Sequence, residues 1–197
     1  MRRLFRRLFS RCALVRLAVA LATVLIAVPA LHAANDDRVF EIASILSGTF
    51  EGSTPGNRLL LDISTVTIDP SHPYDLFLRV SGVFEKTNVQ QQGLIRLEAQ
   101  GSDIYFTYIP HFNPTVTALS MEAGRFTEQE LNSACSFVLK PKGDGFVGDT
   151  LGSTTCALAM RGAIGKWSVE LEPGNLRVQN EKSAETLRFR QTAKKKS

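Results

Sequence analysis

Gly93-Leu94-Ile95-Arg96-Leu97-Glu98-Ala99-Gln100-Gly101-Ser102-Asp103-Ile104-Tyr105-Phe106-Thr107-Tyr108-Ile109 reads as two strands around a turn. Ile104, Phe106 and Tyr108 fall on one face and Asp103, Tyr105 and Thr107 on the other, the period of two that marks a half-buried strand. Gln100-Gly101-Ser102 is the turn between them. The same alternation recurs in both directions. Leu76, Leu78 and Val80 oppose Phe77, Arg79 and Ser81, and Trp167, Val169 and Leu171 oppose Lys166, Ser168 and Glu170.

Strands are predicted over Arg58 to Ile68, Tyr74 to Lys86, Gly93 to Ala99, Asp103 to Ile109, Ala134 to Lys140, Gly145 to Thr150, Thr154 to Met160, Lys166 to Leu171, Leu176 to Asn180 and Thr186 to Gln191. A first strand enters at Leu46 to Gly52. The separators Asp69-Pro70-Ser71, Lys142-Gly143-Asp144 and Glu172-Pro173-Gly174-Asn175 are turn chemistry, and such short connections imply antiparallel neighbours. Two helical pieces are expected: residues 37 to 47, capped by Asp36 or Asp37, and one turn at Thr127 to Leu131, where Thr127 and Glu130 form a capping box. About ten short strands in one domain must hide their edges, so the expected fold is all-β, a single closed antiparallel barrel with a short N-terminal helix. The two longest predicted strands call for a bend near Ser64-Thr65 and at Gly82.

Met1 to Ala33 carry six arginines and no acid ahead of an apolar run from Leu17 to Ala30 and the small-residue site Leu31-His32-Ala33. This pattern predicts a signal peptide over residues 1–33, a barrel domain over 34–191 and a basic tail over 192–197. The run of 14 residues is shorter than the roughly 20 of a spanning helix, so no membrane span is expected after cleavage. Cys12 precedes the run and is not a lipid-attachment site. The mature protein is expected to be exported, to a periplasm or the outside. Taking the six leader arginines from the 23 basic residues leaves 17 against 19 acids, a net charge near −2 in place of +4. Nucleic acid is therefore not an expected partner, since the one basic run left is Lys194-Lys195-Lys196.

In an oxidising compartment Cys135 and Cys156 read as a disulfide, and closing that loop contributes roughly 3 kcal/mol in the loop-entropy account. His72 and His111 lie beside prolines without metal-ligand spacing, so no metal site is expected. No activated serine, phosphate cradle or paired acid is visible, and no catalytic residue is assigned. What remains is the barrel interior as a small-molecule site. Its candidate contacts are Arg79, Arg96, Tyr108 and Trp167. Tyr105 is a weaker candidate because it faces away from Tyr108.

Three features resemble the CpcT/CpeT family of phycobilin chromophore lyases. They are the entry Ile45-Leu46-Ser47-Gly48-Thr49-Phe50, the acidic turn Phe126-Thr127-Glu128-Gln129-Glu130-Leu131, and the block from Cys135 to Cys156 with Gly145, Phe146, Gly148 and Thr150 inside it. The resemblance implies a calycin-type barrel related in shape to lipocalins, a bilin or other tetrapyrrole as ligand, and an acceptor protein whose cysteine receives it. The family's arginine- and tyrosine-rich middle strand is replaced here by Gln90 to Leu97, where only Arg96 is cationic. The readings carried forward are an exported barrel that binds a small amphipathic ligand, tetrapyrrole-like or lipid-like; a bilin–cysteine lyase; and a non-enzymatic interaction module with a filled barrel. A homodimer is among the partners considered.

Overall fold

Alternating apolar residues become a closed sheet in the computed structural model, which describes residues 36–54, 57–84, 86–118, 126–151, 166–181 and 186–193. The barrel lies within Val39–Ser197. Its strands are β1 (Gly48–Thr54), β2 (Asn57–Thr65), β3 (Leu76–Phe84), β4 (Thr87–Gln100), β5 (Asp103–His111), β6 (Cys135–Lys142), β7 (Gly145–Thr150), β8 (Trp167–Glu172), β9 (Asn175–Asn180) and β10 (Thr186–Ala193). Each pairs antiparallel with its sequence neighbours, and β10 returns to β1 to close the ring. Closure gives every strand a partner on both sides, which satisfies backbone groups that an open sheet would leave at its edges.

The hairpin turns lie where turn residues were read. Gln100 pairs with Asp103, Lys142 with Gly145 and Glu172 with Asn175, so two residues make each loop. The predicted strand at Thr154 to Met160 lies outside the described residues. β4 is the main departure: it starts at Thr87, six residues before the expected Gly93. Thr87 to Gln92 offer only Val89 as an apolar signal, and the segment is a strand because it continues the register of β3 to Phe84↔Thr87.

Residues 36–46 form helix α1. Asp36 and Asp37, expected to cap it, are themselves helical. Val39, Ile42, Ala43 and Leu46 are buried at the spacing of one helix face, whereas Phe40 is exposed and meets Tyr74 edge-on, ring centroids 5.8 Å apart. Helix α2 (Glu128–Asn132) opens on the expected capping box of Thr127 and Glu130. No described helix is long and apolar enough to cross a membrane.

Antiparallel neighbours alternate direction, so the connections alternate between the two barrel ends. α1 and the 66–75 connection share one end with the turns at Gly101, Gly143 and Gly174. β5 and β7 end, and β6 and β8 begin, at the other. Inside, Leu76, Ile104, Leu139 and Leu171 are wholly buried, and Phe106 meets Phe137 nearly perpendicular at 5.6 Å. Outside, Phe77, Leu94 and Ile109 make an apolar row across β3, β4 and β5. Val66 joins this row, and Ile68, Val116, Ala118, Phe126 and Ala134 pack on it. Strands that alternation marks as one-sided are thus buried on both faces at this point.

Two glycines have specific work. Gly82 holds φ at +139° within β3, and a Cβ there would strike the Arg58 carbonyl of β2; the pairing with β2 and β4 runs through Gly82, and that with β3 through Ser64-Thr65, without a register shift. Gly93 leaves room for the Tyr108 ring, which would lie 2.6 Å from an added Cβ. Gly82→Ala is expected to cost about 2 kcal/mol or more, through both backbone strain and the clash. Gly101→Asn, in a turn at φ +63° with open space around it, should stay within about 1 kcal/mol. Thermal unfolding followed by circular dichroism separates the two; equal melting temperatures would refute the assignment of Gly82.

Candidate binding cavity

Inward positions from several strands converge on a cavity of about 90 Å³. Leu59, Leu61 and Ile63 come from β2, Leu78 and Val80 from β3, and Ile95 from β4. Phe106, Tyr108, Phe137, Val169, Leu176, Val178 and Phe189 complete the wall, and Leu46 of α1 reaches it from one end. Alternation sets most of this composition: Leu59, Leu61 and Ile63, Leu78 and Val80, Phe106 and Tyr108, and Leu176 and Val178 sit two apart on their strands, so the residues between them turn out of the barrel. The one polar group on a wall residue is the Tyr108 hydroxyl. It donates to the Gln92 carbonyl at 3.3 Å, and burial pushes its ionisation well above the ordinary phenol range.

Of the residues proposed as ligand contacts, only Tyr108 lines this cavity. Trp167 also points inward and is buried, but it lies beyond the wall, its amide donating to Thr150 Oγ1 at 3.1 Å. Arg79 and Arg96 are on the outer surface, because they alternate with Leu78 and Val80 and with Ile95 and Leu97. Arg79 stands opposite Asp62 and Gln92, its Nε buried without a hydrogen-bond partner. Arg96 forms a two-pronged pair with Asp75, Nε to Oδ1 at 3.3 Å and Nη2 to Oδ2 at 3.0 Å. Burial raises the Asp75 carboxyl above its usual range, and the Arg96 hydrogen bonds and charge oppose that rise. A guanidinium spent on a fully buried carboxylate fastens the 66–75 connection to β4 and is not available at the cavity. Tyr105 faces outward, as its spacing from Tyr108 requires.

The cysteine at the head of β6, Cys135, is buried opposite Tyr108. Cys156 lies outside the described residues.

Two charged clusters escaped the sequence reading. His72 stands between Asp69 and Glu98, at 3.3 and 3.1 Å. His111 Nδ1 meets Glu130 Oε1 at 2.8 Å, and Glu130 also accepts from the amides of Phe112 and Thr127 and from the Thr127 hydroxyl. The capping box made Glu130 legible as a helix residue; its reach to β5 depends on an 18-residue chain return that no local pattern encodes. No three or more His, Cys, Asp and Glu side chains among the described residues are grouped to hold a metal.

The fold and cavity define an up-and-down antiparallel barrel with an apolar interior and structural charge on its outer face. No family model, curated protein or solved structure matches the chain.

Arg96→Gln should destabilise the protein by about 3 kcal/mol by stranding Asp75 in a buried site, and Asp75→Asn in the same chain should recover most of that loss. Denaturant titration of the two single variants and the double gives the comparison. An Arg96→Gln protein as stable as the wild type would return Arg96 to the list of free cations.

Burial raises the Glu130 carboxyl, but the Phe112 and Thr127 amides, the Thr127 hydroxyl and His111 outweigh it and hold the group below its ordinary range. A depressed folded-state value means that the stabilisation is present above the ordinary carboxylate range and is lost as pH falls through the depressed value. Glu130→Gln should therefore cost about 1–3 kcal/mol at pH 7, with the gap to wild type closing toward the bottom of the carboxylate range. A gap that stayed constant with pH would contradict this.

Proposed function

We propose that the protein is exported and works as a non-enzymatic, calycin-like barrel whose interior receives the apolar part of a small amphipathic molecule. The observation that supports it is the cavity wall: a continuous apolar lining reached from α1 and eight of the strands, with its one hydroxyl already bonded to backbone. Such a surface excludes charge and attracts hydrocarbon, because an unpaired charge there has no partner while apolar area gains about 25 cal/mol per Å² on leaving water. The Cys135–Cys156 bridge belongs to the same reading, since export would supply the oxidising environment that two cysteines need.

Size narrows the ligand. An apolar cavity of about 150 Å³ is enough for benzene, so one of about 90 Å³ takes a smaller group, such as the end of an acyl chain. Its head would remain at the barrel mouth. A complete tetrapyrrole requires the wall to rearrange, since pockets for molecules of that scale run to about 300–1,000 Å³. Kinship with the CpcT/CpeT lyases, and with it bilin transfer to an acceptor cysteine, rests on the resemblance of the three sequence segments. Among the described residues, the cavity wall carries neither a cation nor an acid to orient and activate a bilin. The same small volume favours the second reading, an interaction module whose barrel is filled by its own side chains.

Thermal unfolding with a panel of fatty acids of graded length and with biliverdin tests the first reading. Saturating fatty acid is expected to raise the melting temperature by a few degrees, biliverdin to leave it unchanged, and Val80→Phe, which fills the cavity, to abolish the fatty-acid shift while the protein still unfolds cooperatively. No shift with any member, together with native mass spectrometry showing the bare chain, would reject the binding reading in favour of the filled module.

A further inference from the structure

β4 is longer than the strand beside it. Its pairing with β5 begins at Gln92↔His111, whereas its pairing with β3 runs on to Phe84↔Thr87. Among the described residues, 87–91 are therefore held along one edge only. Alternate residues of an antiparallel strand turn their N–H and C=O groups away from the partner, so this ledge presents two or three such sets to the side where β5 is missing. Thr87, Asn88 and Gln90 are exposed, and no backbone bond ties residues 87–91 to a described residue other than through β3.

Native sheets protect an edge of this kind with lysine, proline, a bulge or a covering segment. Residues 87–91 read Thr-Asn-Val-Gln-Gln, without charge or proline, and the register with β3 is unbroken from Leu76↔Ile95 to the turn. The chain leaves β5 just where the ledge begins. Phe112, the next residue, is 53% exposed, and its amide is held by Glu130, whose neighbour Leu131 is 52% exposed. An open backbone edge and two large apolar side chains thus occur together.

We propose that this ledge pairs with the same ledge of a second copy of the chain, antiparallel and about a twofold axis beside Val89. The stretch is self-complementary in the sense such an axis requires. Asn88 of one copy comes opposite Gln90 of the other, both uncharged amides able to donate and accept, so pairing like with like brings no charge repulsion. In this register residue 86 comes level with Gln92, which His111 already pairs, so each hairpin tip abuts the end of the other copy's β5 beside Phe112. Five residues a side make a smaller contact than the roughly 1,600 Å² of a standard stable complex, so the dimer is weak and reversible.

Sedimentation equilibrium of the purified protein over a wide concentration range tests the pairing, alongside the doubles Asn88→Lys/Gln90→Lys and Asn88→Glu/Gln90→Glu. All four substitutions are at exposed positions. Wild type should pass from monomer to dimer with concentration, each double alone should associate at least about tenfold more weakly, and an equimolar mixture of the two doubles should recover a heterodimer. Recovery on mixing cannot arise from misfolding. A wild type that is monomeric throughout would overturn the proposal and leave the ledge to a different extended polypeptide. A dimer that both doubles form as well as the wild type does would also overturn it, by placing the interface on another face.

Discussion

The requirement that buried backbone groups find partners governs this molecule. Ten short strands with apolar residues at every second position cannot each be buried on a flat sheet without two unpaired edges, and bonding β10 to β1 removes both. Once the ring closes, inside and outside are set for every residue. The interior receives Leu, Ile, Val and Phe from successive strands. Both arginines proposed as ligand contacts are directed outward, while Thr150 and Asn180 are buried on the inward phase opposite Phe137 and Trp167. The apolar cavity is thus a consequence of closure and alternation together, and its small volume follows from the bulk of the side chains that alternation sends inward.

Charge in this protein is largely structural. Arg96 neutralises a carboxylate that the 66–75 connection buries, and Glu130 gathers the chain after β5 onto α2 through three donors and His111. Both arrangements hold a long connection against the barrel and cover the outward row of Phe77, Leu94 and Ile109. Where no described residue bonds to the outer edge of the sheet, at Thr87 to Gln91, the same accounting leaves backbone groups open. Coverage of one region and exposure of the other are two outcomes of a single constraint.

Legibility varied with the range of the interaction. The hairpin at Gly101, the turn pairs at Gly143 and Gly174 and the capping box at Thr127 are set by neighbours a few residues apart, and each was readable. The face of Tyr108 was readable from Ile104 and Phe106. The start of β4 was not, because Thr87 to Gln92 have little strand propensity of their own and are ordered by β3. The second buried layer over Phe77, Leu94 and Ile109 was hidden for a related reason: a residue on the outward face is apolar by composition, but what covers it returns from the distant segments around Val66, Val116 and Phe126.

Taken alone, the sequence determined the approximate span of most strands, their antiparallel order, and which residues share a face, since a period of two and short turns are local geometry. Tertiary structure decided which of the two faces became the inside for Arg79 and Arg96, which carboxylate each histidine meets, how much empty space remains among the inward side chains, and where one strand outruns its neighbour. Those outcomes depend on closing the ring and on the stagger between strands, and neither is expressed in any stretch short enough to be read along the chain.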